Sequence, residues 1–134
     1  MTNTFKIYFL IAGLTILLAF LQKLDKAKQI ERGKSLFYKK GCSSCHAETT
    51  KKLDFPFQRD REIYGREWVY QMIWNNQLLR IKDIRALELF KKCYNTFMPV
   101  WPNMTKADID AICDYVDSFP YDPNSKDNLE RKVK

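Results

Sequence analysis

Gly41-Cys42-Ser43-Ser44-Cys45-His46 decides how this chain is read. Two thiols stand three positions apart, and an imidazole follows the second. Two thiols on one tight turn can each add to a different vinyl group of one porphyrin. The next residue then places its ring under the iron. The pattern is the attachment signature of a covalently bound haem c, with Cys42 and Cys45 as thioethers and His46 as the axial ligand that tunes the iron. A bare Cys-x-x-Cys also fits a redox dithiol or a zinc site. His46 is the single histidine of the chain. A dithiol fold wants strands alternating with helices around the motif, and none is read here. Zinc would need Cys93 or Cys113 as a fourth ligand, and the adjacent Cys45 and His46 are awkward partners on one tetrahedral ion. The reading favours haem.

The 134 residues suit one domain. A porphyrin would add the apolar surface that a small domain otherwise lacks. The formal charge of +7 points to nucleic acid, an anionic membrane or an acidic protein. No nucleic-acid motif accompanies the lysines. Acidic redox partner proteins are the expected partners, and a merely solvated basic surface is the alternative.

Ile7 to Leu21 is an uncharged apolar run, IYFLIAGLTILLAFL. It falls short of the roughly 20 residues that span a bilayer comfortably, and it matches the core of a signal peptide. No clean small-x-small cleavage site follows, which favours an uncleaved membrane anchor. Haem attachment of this type takes place outside the cytoplasm in bacteria. The expected site is therefore the periplasmic face of the inner membrane, or the soluble periplasm if the segment is removed. Lys23, Lys26 and Lys28 oppose this topology, because basic residues prefer the cytoplasmic side. The expected organisation is 1–23 signal or anchor, 24–120 haem domain and 121–134 polar tail, which is highly charged and reads as mobile.

No strand pattern is found, so the expected fold is all-α, three to five helices around one haem, with an N-terminal hydrophobic helix. Leu24 to Lys40 reads as a helix with Ile30, Gly33, Leu36 and Phe37 on one face. Gly33 on that stripe makes sense if another helix crosses there closely. A loop carrying Lys51, Lys52 and Phe55-Pro56-Phe57 follows the motif and runs through Asp60. Gly65 to Asn76 presents Trp68, Val69, Met72 and Ile73, and Asn75-Asn76 is read as its end. Lys82 to Tyr94 presents Ile84, Leu87, Phe90 and Tyr94 as a core stripe. Thr96 to Asn103 is irregular, because Pro99 and Pro102 forbid a helix. Thr105 to Asp108 has capping-box spacing, and Ile109, Ile112, Cys113 and Val116 follow at helical intervals.

With His46 committed, a second histidine ligand is impossible. Met98 is the preferred sixth ligand, in an irregular loop that can fold over the opposite haem face. A thioether raises the potential and suits electron transfer. Met104 is the runner-up, and Met72 reads as core. Cys93 as thiolate, a lysine, a tyrosine or an open site stay as alternatives, as does a Cys93–Cys113 disulfide.

From Gln29 to Phe119 the chain resembles the class I mono-haem cytochromes c. The resemblance rests on Gly33-x-x-x-Phe37, Cys42-Ser-Ser-Cys45-His46, the helix around Trp68 and Ile73, Met98-Pro99, and Asp108-Ile109 leading to Tyr115. It implies Cys42 and Cys45 thioethers, His46 proximal, Met98 distal, Trp68 as core near the haem, and Gly33 and Phe37 packed near Tyr115. Cys93 and Cys113 fall outside the family motif. The segment from Gly65 through Tyr115 is similar to haem domains of bacterial respiratory chains. The implied function is single-electron transfer between ferric and ferrous iron, without enzymatic turnover. The alternative function is a haem-based gas or redox sensor with a labile or cysteine distal ligand.

Overall fold

A computed structural model describes residues 2–46, 59–93 and 95–120, with side chains from Lys6 onward. It holds five α-helices and no strand among the described residues. They are α1 (Thr2–Lys39), α2 (Asp60–Ile63), α3 (Arg66–Lys82), α4 (Ile84–Lys92) and α5 (Lys106–Asp117). A short 3-10 turn, Cys42–Ser44, follows α1.

The all-α expectation holds, with two boundaries redrawn. The helix expected from Leu24 begins at Thr2 and passes through the apolar run without a break. No proline interrupts it, so the backbone ladder has no reason to stop. Within α3 the sequence reading places an end at Asn75-Asn76. Asn75 does leave helical geometry (φ −159°, ψ 69°), yet the helix resumes to Lys82. The Asn75 carboxamide oxygen accepts from Leu78 N at 3.1 Å and so starts the second half. The expected loop through Asp60 ends in the short α2. Its Phe55-Pro56-Phe57 segment, like Lys51, Lys52 and the tail 121–134, lies outside the described residues.

The crossing of α1 and α5 forms the centre of the core. A Cβ built on Gly33 would overlap the Ala111 carbonyl and come within 3.0 Å of Ile112 N. The close helix crossing expected at this glycine is therefore present. Four residues on, Phe37 is fully buried and meets Tyr115 edge-on with ring centroids 5.6 Å apart. Ile109, Ile112, Cys113 and Val116 are all buried, as their spacing predicts. The capping box is present too. Thr105 Oγ1 accepts from Asp108 N at 3.1 Å, and Asp108 Oδ2 accepts from Thr105 N at 3.2 Å.

The α3 face is largely as expected: Trp68, Val69 and Ile73 are buried, and Met72 is half-buried. The α4 stripe is not. Ile84 is 65% exposed and Ala86 is the residue that α4 buries, while Leu87 and Phe90 are half-buried and Tyr94 is outside the described residues. The helix is turned by its cap. Asp83 accepts from Arg85 N at 2.9 Å and from Trp68 Nε1 at 3.0 Å, which docks the start of α4 on α3.

Charge closes the outer side of α5. Arg61 Nη2 donates to Asp114 at 2.7 Å and Asp117 at 2.8 Å. Asp114 also pairs with Lys26 Nζ at 2.9 Å. Burial opposes the Arg61 charge, but the hydrogen bonds to Asp117 and Asp114 outweigh it and hold its pKa above the ordinary value. Asp110 accepts from Tyr70 Oη at 2.9 Å. No disulfide joins Cys93 and Cys113 in the structure.

Candidate haem site

The motif is set by the end of α1. Gly41 adopts φ 73°, a left-handed conformation that costs glycine little and turns the chain out of the helix. The turn then closes on itself. Ser44 N donates to Gly41 O at 3.1 Å, and Cys45 N and His46 N donate to Cys42 O at 3.2 and 2.8 Å. Cys42, Cys45 and His46 are thereby fixed on one compact turn, each half-buried.

A small apolar cleft opens beside this turn. Cys42 and His46 line one side. Met98, Trp101 and Met104 line it from the loop between α4 and α5, and Ile73 and Ile112 form its apolar floor. The sixth-ligand candidate and the runner-up thus both reach the cleft, although Met98 is 52 positions from His46 in the chain. Cys45 does not line the cleft itself, and Met72, Cys93 and Cys113 do not reach it. Met104 is 6% exposed, while Met98 is half-buried.

The loop bearing the methionines is fastened to α3. Asn76 Nδ2 donates to Met98 O at 3.0 Å. Trp101 N donates to Ile73 O at 3.0 Å, and Trp74 Nε1 donates to Met104 O at 2.6 Å. Trp74, Asn76 and Trp101 escape sequence reasoning. The Asn75-Asn76 pair is the visible signal, and in sequence it reads only as a helix end.

Burial pushes the Cys42 thiol up to about 11, Cys93 to about 11 and Cys113 to about 12. Among the described residues no group of three or more His, Cys, Asp or Glu could hold a metal ion, so the zinc alternative gains no support there. What remains fits a porphyrin. Two thiols stand on one turn beside an imidazole, and the adjoining cleft is lined by two thioethers and by Ile73, Trp101 and Ile112. Cys93 lies outside the cleft, so the geometry gives a thiolate ligand no support.

The family model described as cytochrome c matches residues 30–120. No curated protein and no solved structure matches the chain. The match takes in the α1–α5 crossing, the motif turn and the methionine loop together, so the chain belongs to the cytochrome c family, with covalently bound haem c and haem-based electron transfer as its chemistry.

Proposed function

We propose that the protein is a one-electron carrier in a bacterial respiratory or related periplasmic redox chain, not an enzyme. Cys42 and Cys45 form the thioethers, His46 is the proximal iron ligand and Met98 the distal one. The carrying observation is that Cys42, His46 and Met98 line a single cleft from distant parts of the chain. Bound there, the haem supplies the reversible ferric–ferrous couple. The chain's own residues would hold it by the sulfurs of Cys42 and Cys45, ligate its iron through His46 and Met98, and offer Ile73, Trp101 and Ile112 as apolar surface beside it.

The apolar part of α1 supports attachment to the periplasmic face of the inner membrane. Among the described residues α1 is the one helix long and apolar enough to cross a bilayer, and its apolar window is unburied. A signal sequence has the same character. Lys23, Lys26 and Lys28 after the run oppose this topology, and the haem motif's need for an oxidising compartment outweighs them. Lys39 and Lys40 are exposed beside the motif and suit an acidic partner. Surface charges of this kind steer encounter and are screened by salt. Raising ionic strength should slow reaction with an acidic partner, and a salt-independent rate would remove that role from the lysines.

The ferric optical spectrum tests the ligand set. A weak red band of methionine sulfur on ferric haem should be present, be lost in Met98→Ala and survive in Met104→Ala. Loss in Met104→Ala alone would transfer the role to Met104. Rapid, tight binding of carbon monoxide by the untreated ferrous protein would instead favour the gas-sensing alternative.

A further inference from the structure

We infer that Asn76 is a positioning residue for the distal ligand, holding the Met98 main chain so that its thioether faces the iron. The inference rests on the assignment of Met98 as that ligand. Asn76 is 4% exposed and is the buried polar residue of the described core. Burying a carboxamide is costly unless its hydrogen bonds are made, and this one is turned to the ligand loop. Its Nδ2 donates to Met98 O at 3.0 Å and reaches Pro99 O at 3.5 Å.

The interruption of α3 explains why the loop can be held this way. Asn75 is non-helical, so the regular ladder of N–H to fourth-preceding carbonyl is broken at this point. The Ile73 carbonyl there accepts from Trp101 N instead, at 3.0 Å. Positions 73, 74 and 76 of α3 therefore grip positions 101, 104 and 98 of the loop. Pro99 and Pro102 have no N–H to give, so the loop has little hydrogen bonding of its own. Of the three grips, the one from Asn76 acts directly on Met98.

Asn76→Leu and Asn76→Ala test this in the full-length haem-loaded protein. Neither offers a donor to Met98 O, and neither places a charge in the core; leucine is close to asparagine in size and alanine is smaller. The measurements are the ferric sulfur band, imidazole titration of the ferric protein, and thermal unfolding. Imidazole enters by displacing the sulfur, so its affinity reports how firmly the thioether is held. Both variants should bind imidazole about two- to tenfold more tightly than the wild type, the span of one hydrogen bond, and show a weaker sulfur band. Asp83→Ala serves as a stability control and should leave imidazole affinity unchanged. Asn76→Ala is the milder change, since it adds neither a branch nor a charge, and it decides the matter if Asn76→Leu does not load haem. If the variants melt earlier but keep wild-type affinity and band, Asn76 is only a core residue and the inference is overturned. Survival of the sulfur band in Met98→Ala would overturn the ligand assignment itself, an outcome separate from the Asn76 result.

Discussion

Gly33 of α1 meets Ala111 of α5 backbone to backbone, with no room for a Cβ between them. The contact brings the two helices close enough for Phe37 to reach Tyr115, and it sets the end of α1 from which the haem motif turns. Gly33→Ala should cost about 2–3 kcal/mol, the upper range for overpacking, because main chain and not a side-chain tip must yield. That corresponds to a fall in Tm of roughly 10 °C for a domain of this size. An unchanged Tm would mean that the helices separate at little cost.

Asp83 links α4 to Trp68, and its pH behaviour follows. The hydrogen bond from Arg85 holds its carboxyl down at about 2, below the ordinary 3.8. A depressed folded pKa contributes stability that is fully present above the unfolded value and lost as pH falls through the folded one. Asp83→Ala should therefore cost about 1 kcal/mol at neutral pH, the usual worth of a helix cap. The deficit should stay constant above about pH 4 and shrink towards pH 2. Denaturant unfolding across that window measures it, and a deficit that grows on acidification would contradict the assignment.

Arg61 faces Asp110, Asp114 and Asp117, and its side chain is 17% exposed. Removing the cation takes the shared partner from all three in a partly buried place, leaving Asp114 with Lys26 and Asp110 with Tyr70 and the more distant Arg66. Arg61→Ala should lose about 3 kcal/mol at neutral pH. Burial raises the Asp114 carboxyl, but hydrogen bonds from Lys26 and Arg61 hold it below its ordinary value, so the loss should ease as the pH falls from neutral through that lowered value. A loss that is the same at both pH values would point to packing of the arginine stem instead.

The continuity of α1 bears on how the haem domain is carried. Four helical residues separate Leu21 from Lys26, which already pairs with Asp114 on the haem domain. That distance is only about 7.5 Å along the axis. If residues 7–21 are retained in a membrane, the domain should be held at a fixed angle to it. Electron paramagnetic resonance of ferric protein in stacked, oriented membranes should show signals that vary with sample angle. A Gly-Ser insert between Lys23 and Leu24 should abolish that variation while the protein stays membrane-bound. Angle-independent signals from the uninterrupted chain would show a loose tether.

The Cys42-Ser-Ser-Cys45-His46 stretch determined the cofactor and, with the helical stripes, the all-α class, because covalent attachment and amphipathic periodicity are local properties. The capping box at Thr105 was legible for the same reason. Gly33 announced a helix crossing, but only the folded chain named Ala111 as its partner. Which side of α4 is buried was decided by Asp83, whose bonds to Trp68 and Arg85 join residues that no periodicity relates. The α3 boundary was misread because Asn75 breaks the helix and caps its continuation at once. Tertiary structure alone brought both Met98 and Met104 to the cleft and left Cys93 outside it. The path of an irregular loop depends on what grips it, and the grips here come from Ile73, Trp74 and Asn76, far from the loop in sequence.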